Sequence, residues 1–438
     1  MLERSILLYA PPSQNPYLSS LHLVKIIDIY SGNCSTAPIP IYAETAGVVM
    51  TNKKKAYERI PYLIFYQDKS PFKETYGGPM DFGALKSHLL RPAEPKTNSV
   101  IVFMHPVGGG EYLPMITALA SAGYPVIYCQ SRYPGNDTAL IMEKVVIDLG
   151  NCIRHAKEKF GFDKVILAGW SGGGSLSMFY QSQAENPTIT ETPAGDSVDL
   201  TIQGLIPADG IMMLAAHISR THTLTEWIDA SILDEQDPSQ RDPELDIYNP
   251  QNPNQPPYSV AFLERYRAAQ IVRNRKITAW VKEKLANLKS SGRPNDEFAF
   301  VVHGTMADPR WLDPTIDAND RQPRWCYLGD PEVVNNGPVG LARFCTLRSW
   351  LSQWSYDDSN ADGLVCAETI TVPALVIGNS ADDACTPSHT TRIFEAIGHN
   401  NKEMHEIKGA THYYFGQEQQ LKEAIGLCAD WLARKALL

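Results

Sequence analysis

No block of lysine or arginine stands out in the chain. Its 39 basic and 49 acidic side chains leave a net charge of −10, so the basic face that a nucleic-acid partner requires is missing. An acidic balance of this size speaks mostly for solubility. No apolar run approaches the ~20 residues of a membrane-spanning helix. The N-terminus also lacks the basic-then-apolar order of a secretory signal, because ILLYA is short and follows Glu3. A cytoplasmic protein without a membrane span is the expectation. Eight cysteines lie at 34, 129, 152, 326, 345, 366, 385 and 428, and none forms a C-x-x-C pair. Reduced, buried thiols fit that scatter. No Gly-Lys-Ser/Thr closes a phosphate loop, and no G-x-G-x-x-G marks a dinucleotide site. Internal repeats and heptads are absent too.

What is present is material for a large core. Hydrophobic residues make up 43% of 438, which suits one large α/β domain with an insertion, or two domains. The most informative stretch runs from Lys164 to Tyr180. Val165, Ile166, Leu167 and Ala168 form an unbroken apolar run, as in a strand buried on both faces of a parallel sheet. Gly169-Trp170-Ser171-Gly172-Gly173 follows at once, and a helix follows that. In such a strand–turn–helix a G-x-S-x-G serine sits on a tight turn with its hydroxyl raised above the sheet edge. A Cβ on either flanking glycine would strike the neighbouring strand or helix.

Around this stretch, strand and helix patterns alternate. LHLVKIIDIY, PIPIYAET and RIPYLIFYQ predict antiparallel strands, with GALKSHLLRP near their end. SVIVFM (99–104) and PVIYC (125–129) predict buried strands, with a helix near 113–122 between them. Asn136 or Asp137 is a suitable N-cap for the next helix, which carries Ile141, Val145, Leu149 and Cys152 on one face. GIMMLAA (210–216) predicts another core strand. The rhythm then stops from 218 to about 365, where a helix near 260–288 precedes aromatic and proline-rich segments. It resumes with VPALVIGNSADDACTP (372–387), the strand in KEMHEIKGATHYYF (402–415) and a final amphipathic helix. Alternation of this kind predicts a mostly parallel, doubly wound α/β sheet.

With its elbow and this order of elements, the chain resembles the α/β-hydrolase family, and Ser171 matches that family's nucleophile. The resemblance implies an N-terminal extension (1–55), a core in two parts (56–217 and 366–438) and a largely helical cap inserted at 218–365. It also implies the order serine, acid, histidine, each just after a strand. His412 in GATHYYF stands at the position of the base. For the acid, Asp382 and Asp383 compete. Asp382 is nearer the glycine that ends the strand, Asp383 has the more usual spacing to Pro387, and Asp382 is the first choice. The first oxyanion donor should be the amide of Gly172. The second should come from His105-Pro106-Val107-Gly108-Gly109-Gly110, which resembles the family's His-Gly motif. Pro106 has no N–H, so Val107 is the expected donor and Gly108 the alternate. His105 should brace its own loop and, with Trp170, border the substrate. Arg132 is read as a loop brace.

His217 and His222 lack acidic or cysteine partners at ligand spacing, so no metal is expected; they should lie near the substrate site. Trp311, Trp325, Trp350 and Trp354 either line an apolar pocket or form the cap's own core. The function implied is a serine hydrolase that cleaves an ester or related acyl compound without a cofactor. Its partner would be a small apolar acyl substrate, with a homo-oligomer left open. The alternatives are the same triad acting on an amide, a lactone or a carbon–carbon bond, acyl transfer, and an inert binding module.

Overall fold

The computed structural model describes residues 56–438, apart from 69, 71–72, 76–81 and 109. The extension at 1–55, with the strands expected in LHLVKIIDIY and PIPIYAET, lies outside the described residues, as does Cys34.

Eight strands form one sheet. They are β1 (Tyr57–Gln67), β2 (Phe82–Pro92), β3 (Ser99–Phe103), β4 (Val126–Cys129), β5 (Lys164–Ser171), β6 (Gly210–Ala216), β9 (Ala374–Asn379) and β10 (Lys402–Ile407). Their spatial order is β1-β2-β4-β3-β5-β6-β9-β10. The β1–β2 and β2–β4 pairs are antiparallel, and the remaining pairs are parallel. Every residue of β3, β4, β6 and β9 is buried, which is why these strands read as continuous apolar runs rather than as alternation.

Helices cover both faces. On one face, α2 (Met142–Glu158) and α3 (Gly172–Glu185) bury Val145, Leu149, Leu176 and Phe179 against Val102, Leu167 and Met213. On the other, α1 (Pro114–Ser121) and α11 (Glu418–Arg434) bury Ile116, Leu119 and Trp431 against Ile101, Ile166 and Leu375. The short helix α10 (Pro387–Ala396) adds Ile393 to the first face.

Between β6 and β9 the chain adds a long run of further elements. It contains α4 (Arg220–Trp227), α5 (Val260–Ser290), the hairpin β7 (Ala299–Val301) and β8 (Phe344–Thr346), and α6 (Pro309–Leu312), α7 (Pro331–Asn336), α8 (Leu347–Gln353) and α9 (Gly363–Glu368). Trp350 and Trp354 pack with Leu224, Ile277 and Val281 there, and Trp311 packs with Trp227 and Met306. Trp325 is largely exposed. Of these four tryptophans, three are therefore buried in packing, and one of them, Trp354, also lines the cavity that holds Ser171.

One local expectation is corrected. Neither Asn136 nor Asp137 caps α2. Asn136 Oδ1 accepts from the Thr138 amide and Asp137 is drawn onto Arg220. The helix begins later, at Met142, whose amide donates to Ser352 Oγ at 2.8 Å. The cap thus comes from α8, far along the chain, and it ties the insertion to the core. Arg132 is a brace, as expected. Buried, it donates to both Asp148 oxygens and to Asp68. The seven described cysteines are all buried and unpaired. Among the described residues, no helix is long and apolar enough to cross a membrane.

Candidate active site

The elbow is built from glycines that leave no room. A Cβ on Gly169 would lie 2.6 Å from Gly174 Cα, and one on Gly173 would lie 2.6 Å from the Met104 carbonyl oxygen. Both obstacles are backbone, so neither can swing aside. Gly173→Ala should therefore cost about 1–3 kcal/mol of stability through overpacking; a thermal melt beside wild type checks this. The tight turn holds Ser171 at φ 53°, in the left-handed region that L residues rarely occupy. Its residual exposure is 8%. Strain of this kind is expected where the fold must present one side chain.

Opposite the serine, the loops after β9 and β10 meet. Asp382 Oδ2 lies 2.8 Å from His412 Nδ1, and both side chains are buried. Asp382 Oδ1 accepts from the amides of Ala384 and Cys385 at 2.8 and 2.7 Å. Each oxygen of this carboxylate therefore faces a donor, which fixes its orientation. Asp383 takes a different part. Its backbone carbonyl accepts from Trp311 Nε1 at 2.7 Å. Burial, and then the charge of Asp382, push its carboxyl up to about 6. Trp170 Nε1 donates to the His412 carbonyl at 3.2 Å, and the two rings lie 4.8 Å apart.

The insertion holds the acid loop in place. Asn319 Nδ2 donates to the Asp382 carbonyl, the Asp320 amide to the Ser380 carbonyl, and Arg310 Nη1 to Thr386 Oγ1. The loop after β3 is held from within. His105 Nδ1 faces the Val107 carbonyl, and the Val107 amide lies 3.2 Å from the same nitrogen. A carbonyl can only accept, so that contact requires the proton on Nδ1. A protonated Nδ1 cannot also accept, which leaves the Val107 amide available. Burial pushes the imidazole of His105 down to about 3, so it stays neutral.

Ser171, Gly172, His412, Val107, Gly108, Trp170 and His105 line one cavity of about 220 Å³. Among the described residues no hydrogen bond joins Ser171 to His412; such contacts are often long before substrate binds. His217 lines the cavity too, while His222 is bound to Asp362 at 3.1 Å. Sequence reasoning missed Arg220, Tyr327, Tyr112 and Tyr413, which line the same cavity. Arg220 stands between the two noted histidines, but nothing local marked it as lining the cavity.

The strand order, the elbow and the serine, acid, histidine sequence together fix the architecture. The chain has the α/β-hydrolase fold. No family model matches it, and no curated protein does. Solved structures of similar outline include a monoacylglycerol lipase from Paleococcus ferrophilus (16% identity, covering 80% of this chain and 99% of that one, TM-score 0.41). A carboxyl esterase from Bacillus coagulans matches at 11% identity, over 86% of this chain and 98% of its own, with TM-score 0.45. Est1E from Butyrivibrio proteoclasticus matches at 12% identity, over 81% and 96%, with TM-score 0.41. Likenesses this remote say nothing of substrate, so the chemistry has to come from the residues of the cavity.

Proposed function

We propose that the chain is a serine hydrolase that cleaves a carboxylic ester, or a related acyl compound, through Ser171, His412 and Asp382. The observation that supports this best is a fully buried carboxylate–imidazole pair facing the cavity that also holds a strained elbow serine. A serine hydroxyl is a poor nucleophile unless a base takes its proton and a third group orients that base. With Nδ1 of His412 bound to Asp382, Nε2 is the nitrogen left to receive the Ser171 proton. Asp382 holds that tautomer and stabilises the imidazolium.

Ser171 Oγ attacks the acyl carbon, and the carbonyl π electrons move onto oxygen. The amides of Gly172 and Val107 are the proposed donors to this oxyanion, with Gly108 as the alternate. Collapse expels the alcohol, which takes its proton from His412. Water, deprotonated by His412, then attacks the acyl-serine, and a second collapse frees the acid and restores Ser171. None of these steps calls for a cofactor or metal.

The segment 218–365 is the proposed cap, set between core parts 56–217 and 366–438. It contributes Arg220, Tyr327, Leu341 and Trp354 to the cavity wall. A volume of about 220 Å³ is below that of a typical drug-sized pocket, and points to a short substrate. The unpaired thiols fit a reducing compartment, and the cytoplasm is the proposed location.

The test is reaction with a fluorophosphonate probe, followed by peptide mapping. An adduct on Ser171, together with turnover of a short p-nitrophenyl ester, is expected. A folded protein that is neither labelled nor active on esters would overturn the proposal.

A further inference from the structure

The cavity has a second polar centre, on the wall contributed by the insertion. Arg220, at the first position of α4, is 5% exposed. Its guanidinium is held on two edges. Nε and Nη2 both donate to Gln353 Oε1, at 3.0 and 2.7 Å, and Nη2 also donates to Asp137 Oδ2 at 2.9 Å. The ring of Trp354 lies 4.3 Å from its Cζ and fixes the plane. Nη1 has no hydrogen-bond partner among the described residues. The hydroxyl of Tyr327, on the same lining, has none either.

Two unspent donors in a cavity of this size need a reason. Neither is among the sealed, unpartnered polar atoms of the described residues, so each stays accessible and can exchange water for an acceptor on a ligand. Bracing alone would be served by the two edges already bonded. The rest of the lining sharpens the point. No aspartate or glutamate lines the cavity among the described residues. Asp137, which balances Arg220, has a side chain 23% exposed and so sits on the solvent side of the pair. His217 is held neutral, chiefly by burial. The arginine therefore supplies positive charge to the cavity that Ser171 also lines.

We propose that Arg220, with Tyr327, binds a carboxylate carried on the substrate's own chain, so that the preferred substrates are short esters bearing a free acid a few bonds from the scissile carbonyl. The assignment rests on the hydrolase function proposed above and names its substrate class. Arginine suits this task because its planar donors match carboxylate geometry. A dicarboxylic acid monoester would place its ester carbon at Ser171 and its free acid at Arg220. Trp170, Tyr112 and Tyr413 would flank the short chain between them.

The experiment compares kcat/KM for monomethyl glutarate with that for methyl valerate and dimethyl glutarate, by methanol release. Wild type should favour the monoester over both neutral esters by about 10-fold or more, the range expected of a hydrogen bond to a charged group. In Arg220→Gln the ratio of monoester to neutral ester should fall to near one. Arg220→Lys should keep part of the preference, and Tyr327→Phe should reduce it. Equal use of the three esters by wild type would overturn the assignment without any variant. So would an Arg220→Gln protein that loses all three substrates in proportion, because that marks a brace. Fluorophosphonate labelling separates the two levels: a labelled enzyme without the preference sinks only Arg220's assignment, while an unlabelled, inactive one sinks both.

Discussion

Ser171→Ala should lower ester turnover on the order of 10⁶-fold, and adding His412→Ala should lower it no further. Groups that act as one unit are strongly non-additive, so either loss alone forfeits nearly all that the unit provides. The geometry gives this its physical content. His412 is oriented by Asp382 at 2.8 Å and backed by Trp170, so its place does not depend on the serine. In Ser171→Ala the base should stand ready with nothing to activate but water. The proposed donors at Gly172 and Val107 would still hold an oxyanion, and a residual rate of about 10³–10⁴ over the uncatalysed reaction should survive. Steady-state turnover of one ester by the two single variants and the double variant checks the pattern. A double variant slower than Ser171→Ala by a further 10³ would mean that His412 drives water directly, and the serine would lose its place as nucleophile.

Much of this arrangement was legible because it is local. β3, β5, β6 and β9 appear as apolar runs because a strand covered on both faces has no polar side to show. Gly169 was readable for a similar reason, because the backbone that crowds it belongs to Gly173 and Gly174 beside it, whereas Gly173 was readable only through the motif, since its obstacle is the distant Met104 carbonyl. What was not legible depends on distant partners. Met142 begins α2 because Ser352 reaches its amide, so reading Asn136 or Asp137 as the cap failed where a local rule met a tertiary contact. Arg220 looked like a residue between two histidines. Its meaning lies in Asp137, Gln353 and the cavity it lines with Tyr327, and only folding assembles these. Adjacent carboxylates posed the same difficulty. Spacing to the glycine and spacing to the proline favoured different residues, whereas the two amides of Ala384 and Cys385 take up Asp382.

That choice can be tested directly. Asp382→Asn should cut turnover about 10⁴-fold. The remaining amide oxygen would stay with the Ala384 and Cys385 amides, and the NH₂ would then face His412 Nδ1 and demand the wrong tautomer. Asp383→Asn should keep activity within a few-fold and change the dependence of stability on pH. The Asp383 carboxyl is raised from its ordinary 3.8 to about 6 by burial and by Asp382. Between roughly pH 4 and 6 the folded chain therefore binds more protons at this site than the unfolded chain does, and stability falls as pH rises through that window. Above it, the charge costs about 2–3 kcal/mol, from roughly two pH units at 1.36 kcal/mol each. The asparagine variant carries no such charge. It should melt above wild type at pH 8, with the difference shrinking to nothing near pH 4. Melting curves at both pH values, beside turnover of a neutral ester, separate the two carboxylates. An inactive Asp383→Asn together with an active Asp382→Asn would exchange their roles, and would require the loop after β9 to turn its other carboxylate toward His412.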